Sequence, residues 1–223
     1  PPTFNEEEQM RSLLEILDDI ESKNLNTVYF QVRSNGSTLF KSSHEPFSPY
    51  ITGHVDVMGD YDPLEFAITE AHKRGLEIHA WINTMRCFNT SDISILEHTK
   101  HVASKHPYWV YRKEEAEGYS LWVNPGLPEV RKYLVEVIDE LVNNYDIDGV
   151  QLDFIRYPQV PIDDEDSYNI YGHGKDIDNW RRENISSFIA VLSEKIKKTK
   201  PTIKLGVTPI GIYQNLVEAR GLQ

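Results

Sequence analysis

Four segments of the chain alternate apolar and polar residues with a period of two. In 27–33, Val28, Phe30 and Val32 oppose Tyr29, Gln31 and Arg33. In 76–83, Ile78, Ala80 and Ile82 oppose His79, Trp81 and Asn83. In 147–154, Val150, Leu152 and Phe154 oppose Gly149, Gln151 and Asp153, and in 203–208, Leu205 and Val207 oppose Gly206 and Thr208. Side chains of a strand alternate between faces, so each segment predicts a strand with one greasy and one polar face. Stretches of helical period separate them, which predicts a parallel sheet with the strands adjacent in chain order. Helices would cover the greasy face. The polar face fits a barrel interior, with Arg33, Asn83 and Asp153 at its C-terminal mouth.

The intervening pattern supports this layout. Residues 6–23 predict a helix with Leu13, Leu14, Ile16, Leu17 and Ile20 on its apolar face, capped by Asn5. Pro63 opens and Gly75 closes a second helix at 63–74. Further helices are predicted at 92–105, 128–144 and 176–198, with short strands at 108–110 and 121–123. Residues 34–62 form a long loop, of the kind more often functional than accidental. A full (β/α)8 TIM barrel takes about 250 residues. Four strands in one domain, 1–223, therefore predict a partial barrel of about four central βα units, with its first and last strands missing and its edges open.

Composition narrows the function. The 223 residues carry 35 acidic against 23 basic side chains, a net charge of −12, which argues against nucleic acid as a partner. The one cysteine, Cys87, cannot form an internal disulfide and reads as a half-buried thiol near the mouth. No stretch reaches the ~18 apolar residues of a membrane span, and no signal peptide is visible. The chain starts at Pro1-Pro2 without Met, so a removed upstream segment is expected. No phosphate loop, CxxC or HExxH spacing is present, so neither a metal nor a cofactor is indicated. Oligomeric state leaves no mark on the sequence.

Asp153 is the central chemical candidate. A carboxylate ending an inward strand can attack an anomeric carbon or stabilise an oxocarbenium-like transition state. Arg33, Asn83 and Arg86 are candidates to bind hydroxyls or orient Asp153; for Arg33 a buried structural pair is an equal alternative. His79 and Gln151 lie below the strand ends and suit an interior polar network or substrate contact. Trp81 reads as core. Tyr61, Trp109, Trp122, Tyr157 and Trp180 offer aromatic faces for sugar rings, although each also suits packing. The acidic run 163–166, with Asp176 and Asp178, lacks calcium-loop spacing and reads as a solvated loop.

Taken together, NTVYFQVRSNG (26–36), YDPLEFAITEAHKRGLEIHAWIN (61–83), Asn-Pro-Gly at 124–126, DGVQLDFIRYP (148–158), WRRENI (180–185) and LGVTPIGI (205–212) resemble the bacterial glycosyl-hydrolase-like 10 family. The resemblance implies a (β/α)8 barrel in exported, periplasmic or envelope-attached proteins, acting as a glycosidase on polysaccharide or peptidoglycan-type glycans. It places strand one before Pro1 and strands six to eight after Gln223. More distantly, AHKRGLEIHAWIN and DGVQLDF are similar to the third- and fourth-strand segments of the α-amylase clan, which implies a nucleophile at Asp153. The chain departs from these patterns at Phe154, where a second aspartate is frequent, and at Thr208-Pro209, where the clan places its acid. A glycoside hydrolase is the first expectation; a non-catalytic carbohydrate-binding barrel is the alternative.

Overall fold

The computed structural model describes residues 3–209, apart from 91, 98, 117 and 159–161. In chain order the elements are α1 (Glu6–Ser22), β1 (Thr27–Arg33), α2 (Pro49–Thr52), α3 (Pro63–Lys73), β2 (Glu77–Asn83), β3 (Arg86–Thr90), α4 (Val102–Lys105), β4 (Val110–Glu115), β5 (Gly118–Val123), α5 (Pro128–Asn144), β6 (Gly149–Asp153), α6 (Glu165–Tyr171), α7 (Ile177–Thr199) and β7 (Lys204–Val207).

Strands β1, β2, β6 and β7 form one parallel sheet in that order. The four predicted strands and their adjacency are thus observed. The greasy face behaves as alternation dictates: Val32, Ile78, Ala80, Ile82, Val150 and Leu152 are all at most 1% exposed. Against them pack Leu64, Ala67, Ile68 and Ala71 of α3, Val130, Leu134, Ile138 and Leu141 of α5, and Phe188, Leu192 and Ile196 of α7. These recur every three or four residues, the single stripe an amphipathic helix buries. Each fully buried Leu or Ile contributes about 1.5–3 kcal/mol, so this one layer holds the unit together.

The helix boundaries follow local chemistry. Asn5 accepts from the Glu8 amide and Asp62 from those of Leu64 and Glu65, capping α1 and α3. Gly75, at φ +68, ends α3 in the left-handed conformation. Helices on one face of a parallel four-stranded arc make this part of a (β/α)8 barrel. Among the described residues β1 and β7 are the outer strands, and neither gains a further neighbouring strand.

The segment 92–105 corrects the sequence reading. It is not one helix but a 3-10 turn at Ile93–Leu96 followed by the short α4. Asp92 and His101 accept from the amides of Ser94 and Ala103, and the Thr99 hydroxyl donates to Leu96 O. Polar side chains bonding to nearby backbone compete with a continuous helix. The two expected short strands are longer and have company. β3, β5 and β4 form an antiparallel sheet leaving the end of β2, and Pro107–Trp109 is a 3-10 turn before β4.

Candidate active site

Asp153 ends β6 directly opposite Asn83 of β2. Its carboxylate lies on the polar face, half-buried, while Leu152 is sealed among the helices. Two residue pairs back, Trp81 opposes Gln151 and reaches diagonally, its indole donating to Asp153 Oδ2 at 3.2 Å. The other oxygen accepts from the Phe154 amide at 2.7 Å. The backbone is fixed as well, since Thr84 donates to Asp153 O at 2.7 Å and Met85 to Phe154 O at 3.3 Å.

Phe154 has φ +50, uncommon for a side chain of this size and held only where the surroundings over-determine it. The kink turns its ring onto Trp122, with centroids 5.7 Å apart, and beneath Arg86, whose guanidinium carbon sits 4.1 Å from the ring centre. Arg156 follows, 5.1 Å above Trp122 and 5.2 Å from the Phe154 ring. Burial lowers the Arg156 pKa, Asp153 opposes the shift, and Arg86 adds to it. The Arg86 Nε is buried without a hydrogen-bond partner. The corner thus gathers one half-exposed carboxylate, two arginines and the rings of Trp81, Trp122 and Phe154 where the strands end.

Arg33 is elsewhere. The β1–β2 register shifts between Gln31 and Arg33, and Arg33 is 1% exposed. Its Nε and Nη2 donate to Glu45 at 2.6–3.0 Å, and its Nη1 donates to Asn83 O and, at 3.3 Å, to Thr84 O. Tyr133 completes Glu45 with a 2.7 Å hydrogen bond. Burial pushes the Glu45 carboxyl upward, but the Arg33 charge and the bonds from Arg33 and Tyr133 outweigh it and hold it below the usual range. The structure therefore pairs Arg33 with Glu45 rather than Asp153. Arg33 still touches the site indirectly, because Thr84, whose carbonyl it holds, binds the Asp153 backbone.

The other candidates divide. Asn83 is buried, with Oδ1 accepting from Gln31 at 3.2 Å and Nδ2 donating to Ser34 O at 2.7 Å; its amide locks β1 to β2. Gln151 donates to the Thr208 hydroxyl. His79 lies opposite Gly149, four residues before Asp153 and roughly 13 Å down the strand direction. There it packs against Tyr29 and Glu77, away from the mouth. Tyr157 and Trp180 are buried at 4% and 3% exposure. The Tyr157 hydroxyl accepts from Asn184, and Trp180 covers Gly126 and meets Tyr168 edge-on; neither presents a face to the corner. Of the five aromatic candidates, Trp122 reaches it through Phe154 and Arg156, although the residue is 5% exposed.

Tyr61 donates to Gln9, and Trp109 stacks on His106. Cys87 is fully buried rather than half-buried, donates to Leu121 O, and burial pushes its thiol up to about 12. In the acidic run, Asp164 is not solvated: it is 3% exposed and gripped by both arms of Arg181 at 2.5 and 2.7 Å. Among the described residues no group of three or more His, Cys, Asp or Glu is arranged to hold a metal ion.

Residues 3–222 match the model of the family described as Glycosyl hydrolase-like 10. The chain belongs to this family. Relatives include Glycosyl hydrolase YngK of Bacillus subtilis (strain 168), 37% identical over 95% of this chain and 42% of its own length. Glycosyl hydrolase DigH of Escherichia coli (strain K12) is 33% identical over 96% of this chain and 51% of its own. The chain spans about half the length of these relatives. Among solved structures, alpha-L-fucosidase isoenzyme 2 from Paenibacillus thiaminolyticus superposes with a TM-score of 0.65 at 19% identity, over 95% of this chain and 31% of that one. That likeness shows the shared fold.

Three residues escaped the sequence reading, Trp81 and Arg156 at the corner and Glu45 in the sealed pair. Trp81 carried a usable signal: it shares parity with His79 and Asn83, so it faces the polar side and not the core. Arg156 stands three residues past the strand end, where parity no longer applies. Glu45 lies inside the long 34–62 loop, and nothing local marks it as the partner of Arg33.

Proposed function

We propose that the protein is a glycoside hydrolase acting on a polysaccharide or peptidoglycan-type glycan outside the cytoplasmic membrane, with Asp153 as nucleophile or charge stabiliser. The observation that carries the reading is the Asp153 carboxylate itself. It ends a central parallel strand, is half-open to solvent, and keeps acceptor capacity beyond its contacts with Trp81 and Phe154. The names of YngK and DigH support the reaction class.

In this reading Asp153 faces positive charge developing at the anomeric carbon, or bonds to it. Trp81 fixes which oxygen points outward. Arg86 and Arg156 stand beside it to hold sugar hydroxyls, with Trp122 and Phe154 as the apolar flank. Glycosidases use a second carboxyl about 5–9 Å from the first. Among the described residues no second carboxyl shares a hydrogen bond with Asp153, and this reading assigns no residue to the acid.

The test is a polysaccharide and peptidoglycan panel incubated with the intact protein, assayed for new reducing ends. Release from at least one glycan, abolished by Asp153→Asn, supports the reading. Binding without release across the panel would instead favour the carbohydrate-binding alternative, to which Phe154 in place of a second aspartate also points.

A further inference from the structure

Beside the Asp153 corner lies a cleft of about 680 Å³, within the range of pockets that take small molecules. One wall comes from the β3–β5–β4 excursion, which leaves the end of β2. The other comes from Pro158, Ile162, Asp163, Asp166 and Ser167, which follow β6 in the chain. Both walls are therefore loops of the C-terminal rim, the side where barrels place their sites. Trp122 joins cleft and corner: it lines the cleft, and its ring meets Phe154 and Arg156.

The lining describes the occupant. The Tyr111 hydroxyl is buried next to the Ser167 hydroxyl and makes no well-formed hydrogen bond. Ser167 beside it is already committed, donating to Asp164 O and accepting from Asn124. Buried polar groups are seldom left unsatisfied, so Tyr111 offers an unmet bond to a ligand. Tyr108, 74% exposed, presents an aromatic face at the rim that suits the C–H side of a pyranose. Charge is mixed. Arg112, Lys113 and Glu114 line the β4 wall, and Asp163 and Asp166 the facing one. A polyanion would meet the aspartates and a polycation the basic pair. Hydroxyls, which both donate and accept, fit donors on one side and acceptors on the other.

We infer that this cleft is a subsite for successive units of an uncharged oligosaccharide chain running away from Asp153, so that the protein selects long chains over short ones. The inference rests on the hydrolase reading only in naming the corner as the place of cleavage; binding in the cleft is measured separately.

The experiment is calorimetric titration of the intact protein, carrying Asp153→Asn to prevent turnover. The probes are disaccharides and hexasaccharides of N-acetylglucosamine, cellulose and amylose type, with hexagalacturonate as the polyanion. At least one neutral hexamer is expected to bind about tenfold or more tightly than its dimer. Tyr111→Phe, which removes only the hydroxyl, and Tyr108→Ala, at an exposed position, should each cut that preference to about threefold or less, with melting temperatures showing both variants folded. Equal affinities for dimers and hexamers, an undiminished preference in both folded variants, or tighter binding of hexagalacturonate would each overturn the subsite. Turnover surviving in Asp153→Asn while the length preference holds would sink the catalytic assignment and leave the subsite standing.

Discussion

At the rim of the sheet, Arg33 grips Glu45 where both side chains are at most 1% exposed, while Arg156 stands near Asp153 in a corner half open to water. Sequence alone does not separate the two arginines, since each follows or ends a strand. The difference lies in what remains unsatisfied. Glu45 accepts from three Arg33 hydrogen bonds and from Tyr133, so nothing is left for a substrate. Asp153 has one donor per oxygen, a strained neighbour and a wet face. A saturated ion pair is structural material, whereas an underused carboxylate held by a kinked backbone is available for chemistry.

The largest effect should come from breaking the sealed site. Glu45→Ala leaves Arg33 buried and unpaired, which costs about 3–5 kcal/mol of stability, read as a shifted denaturant midpoint. The same pair sets an acid limit. Because the folded Glu45 pKa is depressed, its stabilisation is fully present above the unfolded value near 4.3. It is lost as pH falls below that value toward the folded one. Wild-type stability should therefore drop steeply below about pH 4, and that limb should flatten in Glu45→Ala. A variant as stable as wild type would mean that Arg33 is not held by this pair.

Asp153→Asn tests the open site and should behave in the opposite way. Hydrolysis should fall about a hundredfold or more, on the order of 3 kcal/mol of transition-state stabilisation. Stability should fall by only about 1 kcal/mol, because the amide oxygen keeps one of the two donors, the Trp81 indole or the Phe154 amide, while its NH2 faces the other. Near-wild-type turnover in the folded variant would end the catalytic assignment.

The contrast also marks what the sequence could tell. Strand positions, adjacency and the placement of Asp153 on the polar face were legible because alternation is a local property. Arg33 kept two readings open in the sequence, and its buried pair with Glu45, beyond a register shift after Gln31 that no local pattern announces, decides for the structural one. The aromatic candidates show the same limit: Tyr157 follows the end of β6 and Trp180 sits in the first turn of α7, yet Asn184, Gly126 and Tyr168 decide that they are buried. The 92–105 segment had helical periodicity, but capping by Asp92 and His101 broke it. The 210–212 part of the family-like 205–212 segment lies outside the described residues.

A smaller effect sharpens the role of Trp81. Trp81→Phe keeps an aromatic ring but removes the indole N–H that fixes Asp153 Oδ2. Loss of one such bond is worth about 1 kcal/mol, so turnover should fall roughly fivefold, mainly in kcat, with affinity for substrate nearly kept. An unchanged rate would show that Trp81 packs beside the carboxylate without orienting it.

The smallest effect sits behind the sealed pair, at His101. Its Nε2 lies 3.0 Å from both Asn35 O and Cys87 O, and its Nδ1 accepts from the Ala103 amide at 3.1 Å. These contacts fit the neutral ring with its proton on Nε2; a second proton would meet the Ala103 N–H. Gly36, at φ +61, lets the backbone approach, since a Cβ there would stand 2.5 Å from Nε2. Burial lowers the His101 pKa, against the opposing pull of the Asn35 carbonyl and Glu45. With the folded value depressed, the unfolded chain takes up the proton first, so stability is present above the ordinary value near 6.5 and is lost as pH falls. Between pH 7 and 6 the loss is about 0.7 kcal/mol for a ring that stays neutral when folded, or about 2 °C in melting temperature for a unit of this size. His101→Gln should be less stable at pH 7 yet lose that slope, separating this titration from the Glu45 limb below pH 4. If the variant keeps the wild-type slope between pH 7 and 6, the titrating group lies elsewhere and His101 is only a packing residue.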